Sequence, residues 1–232
     1  MQVVILAGGM GTRLKAIAGD LPKALVPVAG KPFIDHQLAL MKKYHIENVL
    51  LCVGYKGDMI KEHVGHGDSF CLNISYSHES TDKLLGTGGA LINAFPLLRE
   101  SFMVLYGDSY LPTDYRNVVR AFDNCDAPAL MCVYHNKNNW DQSNVKIDGD
   151  MVVFYSKKTG NENLEYIDYG LSVYKKSVIE RYLNESPPLD LAEIQEDLVA
   201  RREMAAFVVA ERFYEIGKPS GWSELQEYLD RS

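Results

Sequence analysis

"VVILAGGMGTRL", residues 3–14, opens the chain with four apolar residues followed by a loop of almost no side chain, which ends in an arginine. A short, β-branched apolar run bounded by glycine reads as a buried strand. The glycines after it let backbone N–H groups point into a concavity, and they carry no Cβ to keep a bulky anion away from the main chain. Arg13 adds a permanent, fork-shaped positive charge just past them, a shape suited to phosphate oxygens. The spacing separates this loop from two other phosphate loops. Gly8-Gly9-Met10-Gly11-Thr12-Arg13 lacks the G-x-G-x-x-G of a dinucleotide loop, and no G-K-[ST] follows as in a Walker loop.

Outward from that strand, apolar runs alternate with amphipathic stretches. Val3–Leu6, Asn48–Val53, Asn73–Ser77, Phe102–Tyr106, Ala129–Tyr134 and Ala206–Ala210 read as strands; Phe33–Tyr44, Asp58–Val64, Gly89–Leu98 and Asp114–Asn124 read as helices. Such alternation predicts a mostly parallel sheet with helices on both faces. From Asn144 to Lys175 the pattern changes to short strands, with Asp148-Gly149-Asp150 as a hairpin turn, and this predicts a β-rich insertion. Helical patterns return over Leu191–Arg202 and Ser220–Leu229. With 232 residues, no internal repeat and no linker, the chain reads as a single domain. In an open α/β sheet, ligands bind beyond the carboxyl ends of the strands. Gly8–Arg13, Glu79–Gly89, Gly107-Asp108 and Glu215-Ile216-Gly217 all fall at such ends.

A net charge of −7 with scattered Lys and Arg argues against nucleic acid as a partner. No apolar run approaches the ~18 residues of a membrane span, and the first strand begins too early for a leader, so a cytoplasmic protein without membrane contact is expected. Cys52, Cys71, Cys125 and Cys132 form no C-x-x-C pair and are expected to be free thiols in a reducing compartment. The six histidines show no metal-ligand spacing. The sequence leaves the oligomeric state open, a homodimer included.

Nine residues after Arg13 comes Pro22-Lys23, in "PKALVPVAGKPFIDHQL" at 22–38, where prolines stiffen the segment that carries Lys23. Together with "LAGGMGTRL" at 6–14, this stretch resembles the signature of the sugar-1-phosphate nucleotidylyltransferases. The resemblance continues through "LLGTGGAL" at 84–91, "YGDSYL" at 106–111, "YIDYGLSVY" at 166–174 and "FYEIGKPSGW" at 213–222. The length matches short members such as heptose-1-phosphate guanylyltransferases and N-acetylmuramate-1-phosphate uridylyltransferases. What the resemblance implies is a Rossmann-like α/β fold whose β-rich insertion binds the sugar. Residues 1–135 would serve mainly the nucleotide and 136–232 mainly the sugar phosphate.

The reaction so implied joins an NTP to a sugar 1-phosphate, with loss of pyrophosphate. Leu6, Ala7, Gly8, Gly9, Gly11, Thr12 and Arg13 would line the nucleotide phosphates, with Glu79, Gly86 and Thr87 nearer the base. Arg13, Lys23 and Asp108 would be the catalytic residues, Arg13 on the leaving pyrophosphate and Lys23 where both substrates' charges meet. Asp108 and Glu215 would hold Mg²⁺; relatives carry aspartate where this chain has Glu215, and a longer carboxylate still suits a hard cation. Lys157 matches the lysine on the sugar phosphate, with Asp168 and Gly170 bordering the sugar. Ser156 and Lys158 depart from the Glu-Lys-Pro pattern of relatives, which leaves the sugar open.

Glu79 bears on the base. An ionised carboxylate only accepts hydrogen bonds, and guanine offers two adjacent donors, N1–H and N2–H₂, where uracil offers one. GTP is therefore expected over UTP, although related uridylyltransferases also carry glutamate in this region. Two rival readings are a nucleotidylyltransferase for a non-sugar phosphate, such as phosphocholine or a phosphonate, and a non-catalytic module on the same fold. Retention of Arg13, Lys23 and Asp108 weighs against the second.

Overall fold

The computed structural model describes residues 1–9, 12–80, 85–157 and 164–231. Among these residues nine strands form the central sheet: β1 (Gln2–Ala7), β2 (Asn48–Val53), β3 (Asn73–His78), β4 (Ser101–Tyr106), β5 (Ala129–His135), β6 (Val145–Asp148), β7 (Met151–Tyr155), β8 (Tyr166–Lys175) and β9 (Met204–Val209). Their spatial order is β3-β2-β1-β4-β8-β5-β9-β7-β6. The apolar run that opens the chain lies inside the sheet, with Val4 paired to Leu50 on one side and Val104 on the other.

Burial on both faces explains why that run does not alternate with polar residues. Val3 and Ile5 face one apolar layer, shared with α1 (Phe33–Lys43), α2 (Gly57–Val64) and α4 (Tyr115–Asp123). Val4 and Leu6 face the other, shared with α3 (Gly86–Asn93) and α5 (Leu191–Ala200). A last helix, α6 (Pro219–Asp230), buries Leu225 in the first layer. Caps start two of these helices: the Asp114 carboxylate accepts from the Arg116 N–H, and Asp190 forms a capping box with Glu193.

The sheet is mixed rather than mostly parallel, and this corrects the sequence reading. β3, β2, β1 and β4 run parallel, as do β5 and β9, but β8 is antiparallel to both β4 and β5. Parallel neighbours need a crossover long enough for a helix, whereas antiparallel neighbours need only a turn. Between Asn144 and Lys175 the sequence holds no helical pattern, so its strands pair antiparallel. β6 and β7, joined across Gly149 at φ +59°, extend the same sheet as its edge. The helix expected over Gly89–Leu98 instead begins at Gly86 and ends at Asn93, with a single 3₁₀ turn over Phe95–Leu97.

Candidate active site

Two adjoining cavities open beyond the carboxyl ends of the central strands. The first, about 550 Å³, is lined by Leu6, Ala7, Gly8, Gly9, Arg13, Lys23, Glu79, Gly86, Thr87 and Asp108 among others. The second, about 300 Å³, is lined by Lys157, Asp168, Gly170 and Glu215 among others. Tyr106 borders both. Thus the residues expected around the nucleotide share one cavity and those expected around the sugar share the next. Gly11, the side chain of Thr12 and the whole of Lys158 lie outside the described residues.

Asp108 reaches the first cavity because of Gly107. The Gly107 N–H donates to the Leu6 carbonyl at 3.0 Å, and a Cβ there would stand 2.6 Å from that same oxygen, so only glycine lets β4 leave the sheet this close to β1. The loop is then held from below. Buried Gln37 of α1 donates through Nε2 to the carbonyls of Tyr106, at 3.1 Å, and Ser109, at 2.8 Å. Beyond it, Tyr214–Glu215 pairs antiparallel with Ser109–Tyr110, and the Ile216 N–H donates to the Asp108 carbonyl at 2.9 Å. That pairing sets Glu215 beside Asp108.

The cations converge on the same point. Lys23, only 14% exposed at its side chain, makes an ion pair with Asp108. A Cβ placed on Gly217 would lie 3.6 Å from Lys23 Nζ, 3.8 Å from Arg13 Nη2 and 3.8 Å from Asp108 Oδ2. Gly217 therefore leaves open the space that these three side chains share. Glu215 keeps surface accessible, yet its carboxyl faces protein and like charge. Burial, then the Asp108 carboxylate, push it up to about 7, with Lys23 opposing. Two hard oxygen donors set side by side, one of them pushed toward protonation by the other, fit a divalent cation. Among the described residues no group of three or more His, Cys, Asp or Glu gathers into a metal cluster, so this pair would supply the protein's ligands.

Glu79 stands at the far side of the first cavity, directly after β3. Its N–H donates to the Val53 carbonyl at 2.9 Å, and its carboxylate lies against Gly8 and Gly54. A Cβ on Gly8 would fall 1.9 Å from Glu79 Oε1, and one on Gly54 would fall 2.8 Å from it. Burial raises the Glu79 carboxyl above its ordinary range, opposed by the Leu85 N–H.

In the second cavity a bulge aims the acid. The pairing of β8 with β5 slips between Asp168 and Ser172, where Gly170 sits at φ +86° and donates its N–H to Asp168 Oδ1 at 2.9 Å. Burial pushes Asp168 up to about 6, against the Gly170 N–H, the Lys157 charge and the Tyr155 hydroxyl. The native state thus holds this proton more tightly than the unfolded chain does. The stability it contributes is full below the ordinary value of 3.8 and is lost as pH rises to about 6. Asp168→Asn should therefore gain stability relative to the wild type between about pH 4 and pH 7, read as urea midpoints. An identical difference at both pH values would count against it.

Several features were not legible in the sequence. Two amides of the Gly86–Gly89 turn are not free for a ligand: the Gly88 and Gly89 N–H groups donate to the Leu189 carbonyl at 2.9 and 3.1 Å, and the Thr87 hydroxyl donates to Asp190 at 2.8 Å. Gly86 and Thr87 border the first cavity as walls. Lys157 pairs with Asp190 at 3.3 Å and sits over the Tyr106 ring. Burial alone would raise Asp190, but the Ala192 N–H, Thr87 and Lys157 together hold it below the usual range. Asp190 signals only a helix cap in the sequence, and Gln37 only a polar position in an amphipathic helix. Asp141, Gln142 and Asn144 also line the second cavity, from a loop that carries no motif. No helix among the described residues is long and apolar enough to cross a membrane.

Comparison with known proteins follows this geometry. The family model described as "Nucleotidyl transferase" matches residues 2–231. The D-glycero-alpha-D-manno-heptose 1-phosphate guanylyltransferase of Aneurinibacillus thermoaerophilus is 28% identical over 238 residues, covering 99% of this chain and all of that protein. The enzyme of the same name from Campylobacter jejuni is 28% identical over 225 residues, covering 96% of this chain and 97% of that one. The crystal structure of HddC from Yersinia pseudotuberculosis superposes with a TM-score of 0.80 at 27% identity, covering 98% of this chain and 99% of that one.

Proposed function

Because the chain belongs to the nucleotidyl transferase family, we propose that it transfers a nucleoside monophosphate from an NTP to a sugar 1-phosphate, releasing pyrophosphate. One observation carries the reading: Asp108 borders the first cavity, Glu215 the second, and strand pairing sets the two carboxylates side by side where the cavities adjoin. A site for joining two phosphates needs such a junction. GTP is the favoured donor, on the acceptor-only chemistry of Glu79 and on the names of two relatives matched over nearly their whole length, both guanylyltransferases.

In this reading a sugar-phosphate oxygen attacks the α-phosphorus in line as pyrophosphate leaves. The protein's task is to align two polyanions and to neutralise charge as it develops. Arg13 holds the departing pyrophosphate, and the glycine loop lets the phosphates approach the main chain. Lys23 bridges the α-phosphate and the incoming sugar phosphate, and its pairing with Asp108 keeps its ammonium in place. Lys157 receives the sugar phosphate from the other side. Family members generally use a divalent metal; Asp108 and Glu215 would hold it here as Mg²⁺, which when bound neutralises phosphate charge.

The test is a pyrophosphate-release screen of five NTPs against a panel of hexose and heptose 1-phosphates. Release with GTP and a sugar 1-phosphate is expected; none with any pair would overturn the reading. Within that assay, Arg13→Ala should lower kcat and raise the KM for NTP, whereas Lys23→Ala should also raise the KM for sugar phosphate. Each removes a charge-assisted contact of the kind worth roughly 100- to 1000-fold in turnover. Either variant within twofold of wild type in kcat/KM would take that residue out of its role.

A further inference from the structure

Resting on the reading above, we infer that the second cavity takes a neutral, polyhydroxylated sugar 1-phosphate and rejects a sugar that bears a carboxylate. The resemblance leaves both kinds open, since heptose is neutral and the lactyl group of N-acetylmuramate ends in a carboxylate. The charge on the cavity wall separates them.

Apart from Glu215, which is given to the metal, two carboxylates face this space, from Asp141 and Asp168, and among the described residues one cation, Lys157. Lys157 is already paired with Asp190 and is needed for the phosphate end of the substrate. Lys218 approaches Asp141 to 3.9 Å, but both side chains are more than half exposed, where water screens the pair. The arginine beside this loop is committed elsewhere: the Arg212 guanidinium stacks 3.3 Å from the centroid of Trp140 and 4.7 Å from that of Tyr214, and pairs with Glu224. Among the described lining residues, then, no positive group is left on the wall to receive a carboxylate on the sugar.

Asp168 is the decisive group. The bulge at Gly170 fixes one of its oxygens through a backbone N–H, and the other lies 3.5 Å from the Tyr155 hydroxyl. Its remaining lone pairs can accept only from donors, which sugar hydroxyls supply. Gln142, Asn144 and Tyr155 bring amide and hydroxyl groups that complement a sugar hydroxyl in either role. A sugar carboxylate offers no donor and adds like charge in a partly desolvated space, the combination that excludes wrong partners most strongly.

The test compares kcat/KM at saturating GTP for mannose 1-phosphate and a heptose 1-phosphate against glucuronic acid 1-phosphate and N-acetylmuramate 1-phosphate. The better neutral substrate should exceed each acid by roughly 100-fold or more. Asp168→Asn should narrow that ratio by about tenfold, mainly through a lower KM for the acid, with the KM for GTP unmoved. Asp141→Asn, on a surface loop, should narrow it in the same direction and provides the check if the first variant does not fold. An acid used within tenfold of the neutral sugar, or a ratio untouched by both variants, overturns the inference while leaving nucleotidyl transfer intact. If GTP binds by calorimetry but no sugar 1-phosphate of either kind releases pyrophosphate, the underlying reading falls with it.

Discussion

Asp108→Asn should lower nucleotidyl transfer by about a thousandfold or more in a protein that still folds. Asparagine keeps the shape of the side chain but loses its charge and turns one acceptor oxygen into an N–H donor. That charge serves two partners, the Lys23 ammonium paired with it and the divalent cation it would share with Glu215. A single preorganised electrostatic contact is worth roughly 100- to 1000-fold, and here two would go together. The fold should survive because Asp108 is partly exposed, and because the loop is held by backbone bonds from Gly107 and Ile216 and by Gln37. Loss of the acid relieves like charge on Glu215 but leaves the largely buried Lys23 ammonium without its partner, so the variant's thermal midpoint without metal should fall modestly rather than collapse. Steady-state pyrophosphate release with a thermal melt checks both halves. The same logic requires wild-type activity to vanish in excess chelator. A variant within tenfold of wild type, or chelator-resistant turnover, would remove the carboxylate pair from the chemistry.

Glu79→Gln should change which nucleotide is used more than how fast the enzyme works. As a carboxylate, Glu79 can meet both the N1–H and N2–H₂ of guanine; as an amide it accepts on one side and donates on the other, the pattern of uracil. The expected result is a fall in kcat/KM with GTP and a smaller fall, or a gain, with UTP. Bidentate base contacts discriminate by about 1–3 kcal/mol, or roughly one to two orders of magnitude in the GTP-to-UTP ratio. The packing offers an independent route to the same end. A methyl on Gly8 would sit 1.9 Å from Glu79 Oε1, at the movable tip of that side chain. Gly8→Ala should then displace the carboxylate with little loss of stability and erode guanine preference as Glu79→Gln does. If neither variant moves the ratio, backbone groups read the base and Glu79 only packs the loops at Gly8 and Gly54.

The sequence by itself determined the local parts of this protein. Val3-Val4-Ile5-Leu6 is apolar without alternation because both faces of β1 are covered, and that requirement is written in four adjacent residues. The amphipathic spacing from Phe33 to Lys43 likewise marks which side of a helix meets the core. Gly8, Gly9 and Arg13 stood out as a candidate anion loop by residue type and spacing, and Lys23 and Asp108 by resemblance; the fold brings all five to one cavity. Tertiary structure alone decided what depends on distant segments meeting. Whether β8 runs parallel or antiparallel between β4 and β5 is settled by the connections that lead to it, and the residues of the strand itself do not encode that. Glu215 faces Asp108 only because Tyr214–Glu215 adds to Ser109–Tyr110, and Gln37 becomes the support of the Asp108 loop only once α1 packs beneath it. The Gly86–Gly89 turn, glycine-rich as an anion loop would be, commits the amides of Gly88 and Gly89 to the Leu189 carbonyl, since a buried N–H takes whichever acceptor the packing brings nearest. Pattern reports what a residue can do; the long-range contacts decide with which partner it does it.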